Sequence, residues 1–167
     1  MNSTAAALAE IKVADEAWIA TALMHREHIG SEDFNVSEIL ERAEKENIFG
    51  HLRPGVYVHL NTHGVANRPP SPADLRMLFE PQPPSGRRRL FREGDMAHPD
   101  RKGKIVPVRE QIPERYRYLL DWYANEYSPA KPEVWLSGIF EMIGAGKDLY
   151  STESADDYVR RLREGWE

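Results

Sequence analysis

The alternation of apolar and polar positions divides the front of the chain into three helices and a hairpin. Trp18, Ile19, Ala22 and Leu23 recur at helical spacing within 14–24, with Arg26 continuing the row. Asp15 and Glu16 fall in the first turn, where acids favour a helix start, and Gly30 ends the segment. Phe34 leads into a second helix over 36–46, where Val36, Ile39, Leu40 and Ala43 form one stripe opposite alternating Glu and Lys/Arg. Pro54 opens a third helix running to Ala66, which Asn67-Arg-Pro-Pro70 terminates. Two short strands are predicted at 76–80 and 88–92, and the Pro-rich stretch 81–86 between them can only be a loop.

Three helices followed by a hairpin is the order of a winged helix, a variant of the helix-turn-helix in which the third helix enters the major groove. Residues 93–112 read as loop. Pro113 starts a further helix whose Tyr116, Leu119, Leu120 and Tyr123 close the core. After the break Ser128-Pro-Ala-Lys-Pro132, two more helical pieces follow. One, 133–143, is apolar nearly all round, with Trp135 and Phe140. The other is capped by Ser154 and brings Tyr158, Leu162 and Trp166 to one side, with Arg160, Arg161 and Arg163 around the rest. The expected fold is α+β, mostly α: a winged helix-turn-helix domain over 12–127, a linker over 128–132 and a helical arm over 133–167.

Charge adds a candidate partner. The chain of 167 residues has a net charge of −5. Residues 1–50 sum to −6, residues 51–118 to +6 and residues 119–167 to −5. A basic middle suits an anionic partner. In the hairpin, Arg87 and Arg89 would share a face with Phe91, and Arg88 would share the other with Leu90 and Arg92. The third helix adds Arg53, Tyr57, Asn61, Thr62 and Arg68, so that these residues with Arg87, Arg88 and Arg89 are the candidate DNA contacts, guanidinium forks suiting phosphate and amides or hydroxyls suiting base edges. A solvated hairpin edge is the plainer alternative.

Other chemistry is thinly represented. The absence of cysteine excludes a disulfide framework and a thiolate site. No segment reads as a leader peptide or a membrane span, and a soluble cytoplasmic protein is expected. His59 and His63 stand at i, i+4, a spacing that can hold a metal, with His51 and His98 as further ligands, but the Glu of a zinc protease motif is missing and a structural or DNA-facing role is favoured. Gly144-Ala-Gly-Lys147 fails as a phosphate loop, since Asp148 replaces the Ser or Thr that follows the lysine and Glu141 the first glycine. No nucleophile–base set is evident, so no enzyme, metal or cofactor is expected.

The arm carries a resemblance. Gly144-Ala-Gly-Lys-Asp-Leu-Tyr150 with Ala155-Asp-Asp-Tyr-Val-Arg-Arg-Leu-Arg-Glu-Gly-Trp166 resembles the C-terminal arm of VapB-type antitoxins, over about the last 25 residues. Tyr150 stands where Trp is more usual. The resemblance implies a PIN-domain ribonuclease toxin as partner. Lys147, Arg160, Arg161 and Arg163 would compete for its carboxylate metal site, and Trp135, Phe140, Tyr158, Leu162 and Trp166 would anchor the arm. Residues 12–123, with Arg53-Pro-Gly-Val-Tyr57, Arg88-Arg-Leu-Phe-Arg-Glu-Gly-Asp95 and His98-Pro-Asp-Arg101, are also similar to a bacterial domain family of unknown function with a winged-helix-like fold. The resulting expectation is an antitoxin that binds operator DNA and a toxin. A winged-helix regulator without a toxin partner is the alternative, and homo-oligomerisation is left open.

Overall fold

The computed structural model describes residues 11–129. The chain divides into two units, Met1–Pro129 and Ala130–Glu167, and the account below concerns the first. It is α+β and mostly helical. The order is α1 (Val13–Glu27), β1 (Phe34–Asn35), α2 (Val36–Glu46), α3 (Pro54–Val58), β2 (Leu78–Phe79), β3 (Arg87–Leu90) and α4 (Tyr118–Trp122). A π turn, His59–His63, continues α3, and another, Tyr123–Tyr127, continues α4.

Helix α1 is the centre of the domain. Every residue from Ala14 to His25 is buried, more than the single row that spacing predicts, while Arg26, expected to continue that row, is exposed. Its first-turn acids are not at the surface. Asp15 and Glu16 are fully buried and pair with Lys104 at 2.5 Å and Arg53 at 2.7 Å. Sequence position suggested a dipole role for them. Their burial makes them the anchors that bring the 104 loop and the start of α3 onto α1, because an isolated buried carboxylate is too costly to tolerate. Helix α2 starts with a capping box between Asn35 and Glu38, whose carboxylate accepts from the Asn35 N–H at 2.7 Å. It ends at Asn47 in the left-handed region, φ 53°. Val36, Ile39 and Ala43 of α2 are buried and Leu40 partly so, which is the stripe its periodicity predicts.

The hairpin differs in detail. Its strands are shorter than the segments 76–80 and 88–92. A third strand, β1, pairs antiparallel with β3, Phe34 opposite Arg88, while β2 pairs with the other edge, Leu78 opposite Leu90. The sheet order is therefore β1-β3-β2. Two residues of β1 are too few to show a period of two, so pattern alone does not reveal it. The predicted alternation holds for Arg88 and Leu90, both buried, and fails at Phe91, which is buried after the strand has ended.

The third helix is shorter and differently wound than a continuous helix to Ala66. Gly64 closes it by donating to His59 O at 2.9 Å. A Cβ at Gly64 would lie 2.9 Å from that oxygen and 3.3 Å from Leu78 Cδ1, so no larger residue fits where the chain turns to meet β2. The helix after Pro113 begins as a 3-10 turn, Glu114–Tyr116, and extends to Tyr127. Tyr116, Leu119 and Tyr123 are buried as expected, and Leu120 is partly so. The core gathers Trp18, Ile19, Ile39, Ile48, Leu60, Met77, Leu78, Leu90 and Leu119 around α1.

Candidate nucleic-acid interface

Helix α3 and the 81–86 loop are the elements a groove-reading module would present. Pro54 sits in the first turn, and the close approach of Gly55 to Val13 seats that turn on α1. Val56 and Leu60 point into the core, leaving Tyr57 (56% exposed) and Val58 (39%) outside. Asn61 and Thr62 follow on the same side, half-buried. Their polar atoms are turned inward: Asn61 Nδ2 donates to Tyr57 O at 2.9 Å and Thr62 Oγ1 to Val58 O at 3.0 Å. Neither bond occupies the remaining lone pairs of the side-chain oxygens, so both residues keep an acceptor for a ligand.

The arginines expected at this surface are committed elsewhere. Arg53 donates to Glu16 and to Ile11 O and lies over the Phe49 ring at 4.0 Å. Arg68 holds Glu80 at 2.7 Å and Asn61 O at 2.7 Å. Arg87 pairs with Asp33 and donates to its carbonyl. Arg88 is 1% exposed, pairs with Glu80 at 2.9 Å and donates to Leu60 O at 2.7 Å. Arg89 forms a two-armed pair with Asp95, both bonds 2.7 Å, and stacks on Phe79. Sequence reasoning found the basic residues but not their acids, which lie 6 to 54 positions away in the chain for Asp95, Glu80, Glu16 and Asp33. The net charge of 51–118 is thus largely spent inside the domain.

Glu80 is the hub of this network. Burial would raise its pKa, but the Arg68 hydrogen bond and the charges of Arg88 and Arg68 outweigh that and hold it at about 2. Its Oε1 also accepts from the N–H groups of Ser85 and Gly86 at 3.2 and 3.3 Å, which ties down the base of the loop. Arg101 plays a comparable part on the other side. It donates to five backbone carbonyls, those of Thr62, His63, Arg68, Pro69 and Leu75. It thereby satisfies the carbonyl ends left by the π turn and the loop after it.

The paired histidines come together as their spacing implies, with ring centroids 5.1 Å apart. Burial, then the charges of His63, Arg53 and Lys104, lower the His59 pKa to about 4. Two nearby cations oppose a metal ion here, and among the described residues no three candidate ligands converge. His51 instead packs on Phe49, and His98 accepts from the Asp100 N–H. The candidate toxin contacts Trp135, Phe140, Lys147, Tyr158, Arg160, Arg161, Leu162, Arg163 and Trp166 lie outside the described residues. Among those described, no helix is long and apolar enough to cross a membrane. In comparisons with known proteins, no family model, curated protein or solved structure matches the chain.

Proposed function

We propose that the protein is the antitoxin of a type II toxin–antitoxin pair, acting in the cytoplasm. A winged-helix module over 12–127 contacts operator DNA, and the arm over 133–167 blocks a PIN-domain ribonuclease. The observation that supports the module is the pairing of β1 with β3. Helix, strand, helix, helix, then a two-stranded hairpin whose second strand lies between the other two is an order compatible with a winged helix and supports that reading. The arm's role rests on its resemblance to VapB-type antitoxins.

In this reading the DNA contact is made by Tyr57, Asn61 and Thr62 on α3 and its π turn. Arg53, Arg68, Arg87, Arg88 and Arg89 act as the frame that holds that helix and the hairpin in place. Co-expression with the product of the neighbouring gene tests the arm: deletion of 133–167 abolishes neutralisation, and retained neutralisation, or a neighbour that is not a PIN-type nuclease, overturns it. Mobility shift of the protein's own promoter tests the module.

The uncharged outer face of α3 favours a second reading, in which that helix docks on a protein. A sequence-specific promoter shift that survives competitor DNA decides for the first reading, and no shift at any salt concentration decides for the second.

A further inference from the structure

A cavity of about 430 Å³ is lined by the end of α1, the turn 29–32, Arg92, and Trp122, Glu126 and Tyr127 of α4 and its π turn. Its size is in the range of small-molecule sites. Two rings, Trp122 and Tyr127, form one wall with centroids 5.2 Å apart. The exposed side chain of Ile29 adds an apolar edge.

Two guanidinium groups line the same space. Arg92 lies over the Tyr127 ring at 4.7 Å and Arg26 over the Tyr118 ring at 5.0 Å. These cation–ring contacts use none of the N–H donors of either group. Most other arginines of the domain differ, although Arg117 Nε is also buried without a partner. Arg42, Arg53, Arg68, Arg87, Arg88, Arg89 and Arg101 donate to carboxylates or carbonyls. Among the described residues, no side-chain donor of Arg92 or Arg26 has an acceptor, and Arg92 Nε is buried without one. A buried donor without a partner is costly and marks a place where an acceptor belongs.

We propose that this cavity binds a flat aromatic carboxylate, with the ring packed on Trp122 and Tyr127 and the carboxylate held between Arg92 and Arg26. A guanidinium suits a carboxylate because its donors lie in one plane and match both oxygens. Glu32 and Glu126, on the lining, oppose a second negative charge and offer acceptors to a hydroxyl or ring N–H. The site therefore takes a monoanion. His25, also on the lining, is uncharged near neutral pH, since burial holds its pKa at about 4, and adds no competing cation. The site touches the hairpin: Tyr127 donates to Leu90 O at 3.0 Å, and Arg92 follows β3 by two positions. The binding claim does not depend on the proposed function.

Calorimetric titration of the full chain with 2-naphthoate tests it. Saturable binding is expected, with no binding of 2-naphthamide, which has the same rings and no charge. Arg92→Gln is expected to weaken naphthoate binding about tenfold, the loss of one charge-assisted contact. If Arg92→Gln does not fold, Ser31→Trp at the exposed turn fills the cavity and is expected to abolish binding while the melting temperature stays within a few degrees. Equal binding of the amide, binding of spermidine in place of naphthoate, or unchanged affinity in whichever of the two variants folds overturns the proposal.

Discussion

Arg88 and Glu80 form an ion pair at 2.9 Å with 1% and 0% of their side chains exposed. The pair joins β3 to the residue that follows β2, and Arg88 reaches on to Leu60 O in the π turn that continues α3. One buried contact thus sets the angle between helix and hairpin. Its two ends are not equivalent. Glu80 keeps Arg68 and two amides if Arg88 is removed, whereas Arg88 keeps only backbone carbonyls if Glu80 loses its charge. Glu80→Gln is therefore expected to destabilise the domain by about 3 kcal/mol, the cost of a buried charge without its partner. Arg88→Met should cost less. Urea unfolding of both variants measures the difference, and an equal or reversed order counts against the asymmetry.

Removing Arg101 should loosen a different region. Its five carbonyl acceptors span 62–75, and four of them lie between Thr62 and Pro69. Arg101→Lys offers a single ammonium to acceptors arranged around a planar fork. The expected cost is about 3 kcal/mol or more, with little rescue relative to Arg101→Ala. Amide exchange should speed up first at Gly64 and Leu78.

Stability should fall with acidification well above the carboxylate range. Burial, then the charge of Arg92, depresses the His25 pKa from 6.5 to about 4. The unfolded chain therefore binds a proton that the folded chain refuses. The stabilisation is complete above pH 6.5 and is lost as pH falls from 6.5 towards 4, on the order of 3 kcal/mol for this residue. His59, also held near 4, acts in the same direction. Glu80 adds to the loss below its ordinary value of 4.5, down to about 2. Urea midpoints between pH 7 and 4.5 should decline, and His25→Gln should make that decline shallower.

DNA binding and domain stability should respond to different residues. Tyr57→Ala is expected to weaken operator binding about tenfold without lowering the melting temperature. Arg89→Ala, which breaks a two-armed pair with 12% and 16% side-chain exposure, should cost about 1–2 kcal/mol. Arg87→Ala, at a pair 41% exposed on the arginine side, should cost under about 1 kcal/mol. Because so few cations face outward near α3, the salt dependence of binding should be shallow, equivalent to roughly two or three phosphate contacts. Fluorescence anisotropy at several salt concentrations reads the binding and its salt slope, and thermal and urea unfolding read the stabilities. A steep salt slope that Arg87→Ala and Arg89→Ala flatten would restore them as phosphate ligands.

The sequence made the helices and their inward faces legible. The stripe Val36, Ile39, Ala43 and the closing residues Tyr116, Leu119 and Tyr123 follow from spacing alone, because periodicity reports which side meets the core. Pro54 and Pro113 mark starts for the same local reason. What spacing cannot report is a partner distant in sequence. Asp15 looks like an ordinary N-terminal acid until Lys104 is set against it, 89 residues on. Arg87, Arg88 and Arg89 look like a basic edge until Asp33, Glu80 and Asp95 are found beside them. At the candidate site the start of the helix and its inward face were therefore legible, and its full course and the partners of its charges were not. The Arg26–Arg92 cavity was not legible at all, since its lining comes from three separate stretches of chain.

Ser128 stands where the described domain ends. Its N–H donates to Tyr123 O at 2.8 Å and its hydroxyl accepts from Glu93 N–H at 2.8 Å. This stitches the exit of the chain to the loop that follows β3. A molecular machine that engages the chain beyond Pro129 and pulls would load the Glu93 link first, then the Arg89–Asp95 pair, and then peel β3 from between its neighbours. As the central strand carries both of the others, the domain would come apart from its exit rather than from α1, and dismantling would begin at the hairpin.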